Sequence, residues 1–257
     1  YAFHAAGGVY EGGIWDTLRA CWLKSDSPSY LGIAENWYVT EGDPRFHIVF
    51  FPLYPICIRA LNFLTGNSFV SAMLVSSFCA IAAAILMYEL AALDYEREAA
   101  LRAVKFLFLT PAAFFFAAPM TESLFLLCSL LCVYLVRKKH YLWGCLFGAL
   151  AAFTRSVGVL LLAFVFVEWL YGLLRARRMG TLPAEKNTRI RQGICMLLVP
   201  LGLAAYVAIN YAVTGDPLKF MQYQREHWSQ GFGLFFETAA YQTEYALSTA
   251  AEGNLRQ

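Results

Sequence analysis

Long apolar runs dominate the chain, and their lengths limit what it can fold into. The runs cover residues 48–65, 69–92, 103–118, 121–136, 141–153, 157–174 and 193–213. A transmembrane helix needs about 20 mainly apolar residues to cross a hydrocarbon core of about 30 Å. Charged residues make up only 15% of the chain, against about 25% in soluble domains. The sequence therefore predicts an all-α fold, a polytopic transmembrane helical bundle.

Two polar breaks divide neighbouring apolar runs. Residues 141–174 as one helix would measure about 51 Å, which is much longer than the hydrocarbon core is thick. We therefore expect a break at FTRSVG (153–158) and, by the same argument, another at APMTES (118–123). Each break carries an ionisable residue, Arg155 in the first case and Glu122 in the second.

Basic residues are concentrated in three connections between the runs. Residues 93–105, 137–140 and 175–192 hold twelve of the 20 Lys and Arg residues. The positive-inside rule makes these connections cytoplasmic. The two breaks and the segment after about residue 213 would then face the opposite side of the membrane.

The run at 48–65 has two possible placements. It contains Pro52, Pro55 and Arg59, which are poorly suited to a helix that faces lipid. If the run spans the membrane, residues 1–47 are cytoplasmic; if it lies in the interface or re-enters, they are external. We favour the interfacial placement, because it puts all the polar motifs on one face.

Asp26 is the most informative of the candidate site residues. It lies in SDSPSY (25–30), before the apolar LGIA. A turn or helix N-cap would explain an aspartate there, because its side chain accepts backbone N–H bonds. A general base at the membrane surface would explain it too, if a substrate hydroxyl comes within reach.

Arg155 and Glu122 are candidates because ionisable groups at membrane depth usually face a cavity. The Arg155 guanidinium could bind a phosphate or diphosphate, or it could snorkel into the headgroups. Glu122 could have no role beyond stabilising the start of the helix that follows. His47 could contact a phosphate or only form structural hydrogen bonds.

Other polar motifs have plausible structural explanations. Tyr54 could belong to an interfacial aromatic belt. Asp216 lies in NYAVTGDPLKF (210–220), which first indicates a helix end and turn. MQYQREHW (221–228), which contains Gln224, predicts an amphipathic surface helix. IWDTLRACWL (14–23) predicts another.

The sequence predicts neither a metal site nor a resident cofactor. The seven cysteines are scattered, and we expect them to be small core residues rather than metal ligands or disulfide partners. No zinc spacing, P-loop or GxGxxG motif is found, so nucleotide chemistry has no support. A divalent metal that accompanies the substrate stays open.

Five motifs in order resemble one family of enzymes. The sequence is similar to the PIG-V family, the GPI mannosyltransferase 2 group and its bacterial relatives, within the GT-C glycosyltransferases. Two positions depart from the family pattern: Ser25 replaces a tryptophan, and Trp37 stands where the family tends to have glycine. The motifs are DSPSYLGIAENWY (26–38), HIVFFPLYP (47–55), APMTESLF (118–125), TRSVGVLLL (154–162) and NYAVTGDPLKF (210–220).

The resemblance implies a GT-C-like organisation. Residues 1–68 would form an external loop with juxtamembrane helices, residues 69–213 the transmembrane helices, and residues 214–257 an external polar segment. The expected first transmembrane helix would precede this sequence, and further helices could follow it. The location would be a bacterial plasma membrane, or the endoplasmic reticulum in a eukaryote.

The resemblance also implies an activity. The enzyme would move a sugar, expected to be mannose, from a polyprenyl-phosphate donor to an extracytoplasmic glycan or lipid acceptor with inversion. Asp26 matches the essential aspartate of the first external loop and would be the general base. The predicted substrate-binding residues are Tyr30, His47, Tyr54, Glu122, Arg155, Asp216 and Gln224. The alternative functions are a transporter or lipid-handling protein without covalent chemistry, and a non-catalytic assembly subunit.

Overall fold

The protein is helical throughout the part of the chain that the structure describes. The structure is a computed structural model that describes residues 13–228 and 235–251. No strand is found in those ranges. The prediction of an all-α fold is confirmed.

Short helices at the start of the chain lie beside the site described below. The predicted helix at 14–23 is confirmed as α1 (Ile14–Trp22). The 3₁₀ helix (Asp43–Val49) and α3 (Leu53–Thr65) are bent by 111° relative to each other, because Pro52 at the junction supplies no N–H for a continuous helix. The run at 48–65 is therefore not one straight helix. The elements are α1 (Ile14–Trp22), α2 (Ser27–Asn36), a 3₁₀ helix (Asp43–Val49) and α3 (Leu53–Thr65).

Arg59 lies in an apolar run of the sequence but stabilises the contact between α3 and α2. Its Nε donates a hydrogen bond to the carbonyl of Ala34 at 2.6 Å, and its Nη2 to the carbonyl of Glu35 at 3.1 Å. Those carbonyls belong to the last turn of α2, where no intrahelical donor is available. Arg59 thereby fastens α3 to the end of α2.

The central helices form the bundle. α4 (Ser68–Ala91) packs on α6 (Glu122–Arg137), α6 packs on α7 (Tyr141–Thr154), and α7 packs on α10 (Leu198–Thr214). Both predicted breaks are confirmed: α6 begins at Glu122 and α7 ends at Thr154. The elements are α4 (Ser68–Ala91), α5 (Arg97–Leu109), a 3₁₀ helix (Pro111–Phe116), α6 (Glu122–Arg137), α7 (Tyr141–Thr154), a 3₁₀ helix (Ser156–Leu160), α8 (Leu161–Arg178), α9 (Leu182–Cys195) and α10 (Leu198–Thr214).

Three helical segments among the described residues are long and apolar enough to cross a membrane. They are Ser68–Ala91, Ser156–Arg178 and Leu182–Thr214. The bent pair formed by Asp43–Val49 and Leu53–Thr65 would make a fourth if it is one broken span. These segments agree with the predicted runs at 69–92, 157–174 and 193–213.

The structure adds helices that the sequence analysis did not predict. The connections 93–105 and 175–192 contain the starts of α5 at Arg97 and of α9 at Leu182, and both stretches are rich in residues with high helix propensity. The run at 103–118 does not form one helix. Pro111 disfavours a helical conformation at the preceding residue, so α5 ends at Leu109 and a 3₁₀ helix follows.

The polar segment after the bundle is helical where it is described. It contains α11 (Lys219–Trp228) and α12 (Phe235–Ala251). α11 confirms the helix predicted at 221–228. Residues 1–12 of the predicted external loop, and 229–234 and 252–257 of the predicted polar segment, lie outside the described residues.

Candidate active site

A cavity of about 320 Å³ collects residues from four separate parts of the chain. Four of the predicted site residues form its walls: Asp26, Tyr30, Arg155 and Gln224. Sequence analysis did not predict a substrate contact for the other wall residues, which are Val49, Phe50, Phe51, Thr154, Ser156 and Trp228. The cavity thus brings the first loop, the 153–158 break and α11 together.

Asp26 occupies the N-cap position of α2, but its carboxylate does not cap the helix. Its backbone carbonyl accepts hydrogen bonds from the N–H groups of Ser29 at 3.1 Å and Tyr30 at 3.2 Å. The carboxylate accepts only a long bond of 3.4 Å from the hydroxyl of Ser25 among the described residues. The side chain is therefore available to a ligand in the cavity.

The surroundings of Asp26 shift its acidity. Partial burial raises the pKa of the carboxyl, because a charge is less well solvated there. The hydrogen bond from Ser25 lowers the pKa, the negative charge of Glu122 raises it, and the positive charge of Arg155 lowers it. The net direction is upward, which makes the carboxylate a stronger base than a fully solvated aspartate.

Arg155 lies on another wall of the cavity, where the chain is extended between α7 and the 3₁₀ helix that follows. Its Nη1 donates to Glu122 Oε1 at 2.7 Å and to Thr121 Oγ1 at 3.2 Å. Glu122 therefore does more than stabilise the start of α6: it fixes the guanidinium. Among the described residues, the other N–H groups of Arg155 have no protein acceptor, so they are available to an anion.

Tyr30 presents a neutral hydroxyl to the cavity. Burial raises the pKa of this phenol; a hydrogen bond with the Thr121 side chain lowers it, the negative charges of Asp26 and Glu122 raise it, and the positive charge of Arg155 lowers it, with a net rise. The ring packs edge-on against Phe50 and Tyr54, with centroids 5.1 and 5.5 Å apart. Tyr30 can therefore donate a hydrogen bond to a substrate from a fixed position.

Tyr54 lies in the core rather than on the cavity wall. It is fully buried, and its hydroxyl bonds to the carbonyl of Ala72 at 3.1 Å and to Ser76 Oγ at 2.8 Å. Both partners belong to α4, so Tyr54 joins α3 to α4. Its hydroxyl is thus occupied by hydrogen bonds within the core, and its ring supports the ring of Tyr30.

His47 and Asp216 also lie away from the cavity walls. His47 is partly buried beside Phe50, with ring centroids 6.2 Å apart. Asp216 Oδ1 accepts a bond of 2.9 Å from the N–H of Leu218. Asp216 thus has the turn role that the sequence first indicated.

Asn210 positions α11 against the cavity. This fully buried side chain accepts a hydrogen bond from the N–H of Phe220 at 3.2 Å and donates one to the carbonyl of Tyr206 at 3.1 Å. It joins the end of α10 to the start of α11, the helix that carries Gln224 and Trp228. Sequence analysis noted Asn210 only as a helix-end residue.

Aromatic contacts complete the floor and rim of the cavity. The buried Tyr206 donates to the carbonyl of Ile48 at 2.7 Å and stacks on Phe51 at 3.9 Å. Trp228 packs edge-on against Phe50 at 5.8 Å. The signal for Trp228 was its place at the end of the predicted amphipathic helix.

Comparison with protein families gives this geometry a context. A family model described as Mannosyltransferase (PIG-V) matches residues 13–211. The chain belongs to the PIG-V mannosyltransferase family. No curated protein and no solved structure is significantly similar to it. Family membership and the apolar helices together make the chain an integral membrane protein of a mannosyltransferase family.

The PIG-V match covers most of the cavity. Asp26, Tyr30 and Arg155 fall inside the matched range, and so does Glu122. The α11 residues follow its end. Within residues 13–228 and 235–251, no group of three or more His, Cys, Asp and Glu side chains is arranged to hold a metal ion.

The cavity of this PIG-V family member combines three kinds of group. The Asp26 carboxylate can accept a proton, the Arg155 guanidinium can bind an anion, and the aromatic wall can hold an apolar face of a substrate. The arrangement therefore suits a reaction in which a hydroxyl loses its proton while negative charge grows on a leaving group.

Proposed function

We propose that the protein is a GT-C-type mannosyltransferase that uses a polyprenyl-phosphate mannose donor. The acceptor is a hydroxyl of an extracytoplasmic glycan or glycolipid. The observation that carries the proposal is the Asp26 carboxylate, which caps no helix and shares one cavity with Arg155. Asp26 is the general base in this proposal.

The reaction is a single displacement at the anomeric carbon. The acceptor oxygen forms a bond to that carbon, its proton passes to Asp26, and the bond to the phosphate oxygen breaks. The bonding electrons leave with the polyprenyl phosphate. One displacement inverts the anomeric configuration, so no covalent sugar–enzyme intermediate is formed.

Arg155 stabilises the charge that grows on the phosphate. Its Nη1 is bonded to Glu122 at 2.7 Å, so the guanidinium is oriented before substrate binds. A fixed donor of this kind contributes about 10²–10³ in rate. Tyr30 adds a neutral hydroxyl donor. His47, which lies off the wall, has no direct part in this step.

Sugar recognition is assigned to the aromatic wall and α11. Trp228 and Phe50 offer ring surfaces to the C–H face of a pyranose, and Gln224 offers both a donor and an acceptor for its hydroxyls. A few polar groups among aromatic side chains are the usual means of fixing a small ligand in a pocket.

A lipid-linked donor accounts for the membrane location of the enzyme. A polyprenyl chain stays in the bilayer, so a catalytic cavity at the membrane surface receives its headgroup directly. In a bacterium the membrane is the plasma membrane, with the cavity on the extracytoplasmic side. In a eukaryote it is the endoplasmic reticulum membrane.

The donor class is tested by direct comparison of two donors. The purified protein in lipid nanodiscs is incubated with a lipid and glycan extract and either polyprenyl-phosphate [14C]mannose or nucleotide-activated [14C]mannose. We expect labelled product only from the polyprenyl-phosphate donor. Label transferred from the nucleotide donor alone would contradict the proposal, as would a bound polyprenyl-phosphate donor that is never consumed.

A further inference from the structure

A second and larger cavity lies at the other end of the bundle. Its volume is about 810 Å³, and α4, α5, α6 and α8 form its walls. Arg137 contributes to it from the last residue of α6, whereas Glu122 begins that helix beside Arg155. The 16 residues of α6 separate the two by about 24 Å. This groove is therefore distinct from the cavity of Asp26.

The groove is apolar at one end and polar at the other. Phe106 and Phe164 lie at the apolar end, and Asp94 and Tyr95 belong to the turn at the polar end. Helix α5 supplies one wall with a spacing of three or four residues, from Ala99 through Arg102 and Ala103 to Phe106. The two alanines leave room between α5 and its neighbours.

Most charged side chains at the rim of the groove form ion pairs with another residue of the protein. Arg137 forms two hydrogen bonds with Asp94, one of them from Nη2 to Oδ1 at 2.7 Å. Glu168 is paired with Lys139 at 3.5 Å. Arg102 has no hydrogen-bond or ion-pair partner among the described residues. Its guanidinium is therefore the charged group of the groove wall that has no ion-pair partner among the described residues.

We propose that this groove binds an anionic glycerophospholipid of the leaflet that the basic segments face. An acyl chain would lie between α5 and α8, and the headgroup phosphate would bind Arg102 and the Tyr95 hydroxyl. Both side chains are exposed at the rim. A guanidinium binds a phosphate with charge-assisted hydrogen bonds. The site is independent of mannosyl transfer and does not require that the proposed function be correct.

The test is lipid retention measured by native mass spectrometry. Purified protein is loaded with phosphatidylglycerol or phosphatidylcholine, and the bound lipids per chain are counted as detergent is removed. We compare wild type with Arg102→Gln, which removes the charge, and with Ala103→Leu, which fills the groove. Lys186→Gln is the matched control, because it removes an exposed charge from α9, outside the groove.

We expect wild type and Lys186→Gln to retain one phosphatidylglycerol, and Arg102→Gln to bind it about tenfold more weakly. Ala103→Leu should lose the bound phosphatidylglycerol although it keeps the charge of Arg102. If Ala103→Leu does not fold, the comparison of wild type with Arg102→Gln decides whether the site binds lipid. Equal retention of phosphatidylcholine by wild type would overturn the choice of an anionic lipid. Equal affinity of wild type and Arg102→Gln, or an equal loss in Lys186→Gln, would overturn the site.

Discussion

At the scale of single residues, the protonation state of Asp26 should determine how mannosyl transfer depends on pH. Burial raises the pKa of Asp26 first of all, and the Ser25 hydrogen bond opposes the rise. Glu122 and Arg155 then act in opposite directions, the first raising and the second lowering that pKa. A general base must be ionised, so transfer should fall as the pH drops through the pKa of Asp26.

The two charged neighbours give a paired prediction for the pH profile. Glu122→Gln removes a negative charge and should move the acid limb of kcat/KM to lower pH. Arg155→Gln removes a positive charge and should move the limb to higher pH. The measurement is mannosyl transfer against pH for both variants and wild type. Shifts in the same direction, or a limb that neither variant moves, would contradict the assignment of the limb to Asp26.

Substitution of Arg155 by lysine should lower the activity of the enzyme. A lysine side chain at this position would keep the charge but could not hold Glu122 and a phosphate with one planar group. We expect Arg155→Lys to lower kcat/KM by about 10²-fold. Arg45→Lys, a basic substitution outside the cavity wall, is the control and should stay near wild type. Equal activity of Arg155→Lys and wild type would remove Arg155 from the mechanism.

At the scale of the helices, close contact between α7 and α10 holds the cavity together. A Cβ on Gly202 of α10 would lie 1.9 Å from the carbonyl oxygen of Ala149 in α7. Only glycine allows the two backbones to approach this closely. α7 leads into Arg155, and α10 carries Tyr206 and Asn210, which contact Phe51 and α11. The contact between α7 and α10 therefore positions Arg155 relative to these supports of the cavity wall.

Gly202→Ala should therefore destabilise the protein even though alanine favours helix. We expect a loss of about 1–3 kcal/mol from overpacking. Gly193→Ala is the matched control, because that helical glycine has its nearest neighbour at an ordinary 3.7 Å. It should be neutral or stabilising. Thermal unfolding in the same detergent compares them, and an equal or higher midpoint for Gly202→Ala would contradict the packing.

Sequence patterns predicted helix boundaries correctly where the thickness of the membrane limits the length of a helix. Membrane thickness required the breaks at Glu122 and Arg155, and both are present. The same patterns did not predict α5 and α9, because charge identified those segments only as connections, whereas their helix propensity makes them helical. The 111° bend at 50–52 follows from Pro52, although its size could not be predicted from the sequence.

At the scale of the whole molecule, the two cavities lie at opposite ends of the bundle. Asp26, Arg155 and Gln224 meet in one cavity, whereas Arg137 and Asp94 meet in the other. Sequence order and charge predicted that Asp26 and Arg155 face the same side. They could not predict that Tyr54 turns into the core or that Trp228 reaches the cavity, because both depend on how α3 and α11 pack.

Because the two cavities lie at opposite ends of the bundle, membrane orientation can be tested by labelling. In a Cys21→Ser background, Glu41→Cys tests the first loop and Lys138→Cys tests the basic turn, and both positions are exposed. We expect an impermeant maleimide to label position 41 in intact cells and position 138 only after permeabilisation. The reverse pattern would place the Asp26 cavity on the cytoplasmic side.

The most direct test of the account compares Asp26→Asn with Asp43→Asn. Both changes remove one carboxylate from the first loop, but only Asp26 lines the cavity. Transfer of [14C]mannose from the polyprenyl-phosphate donor is measured together with donor binding. We expect Asp26→Asn to bind the donor, stay folded and transfer no mannose, while Asp43→Asn matches wild type. Transfer by Asp26→Asn at the wild-type rate would contradict the central claim that Asp26 is the base.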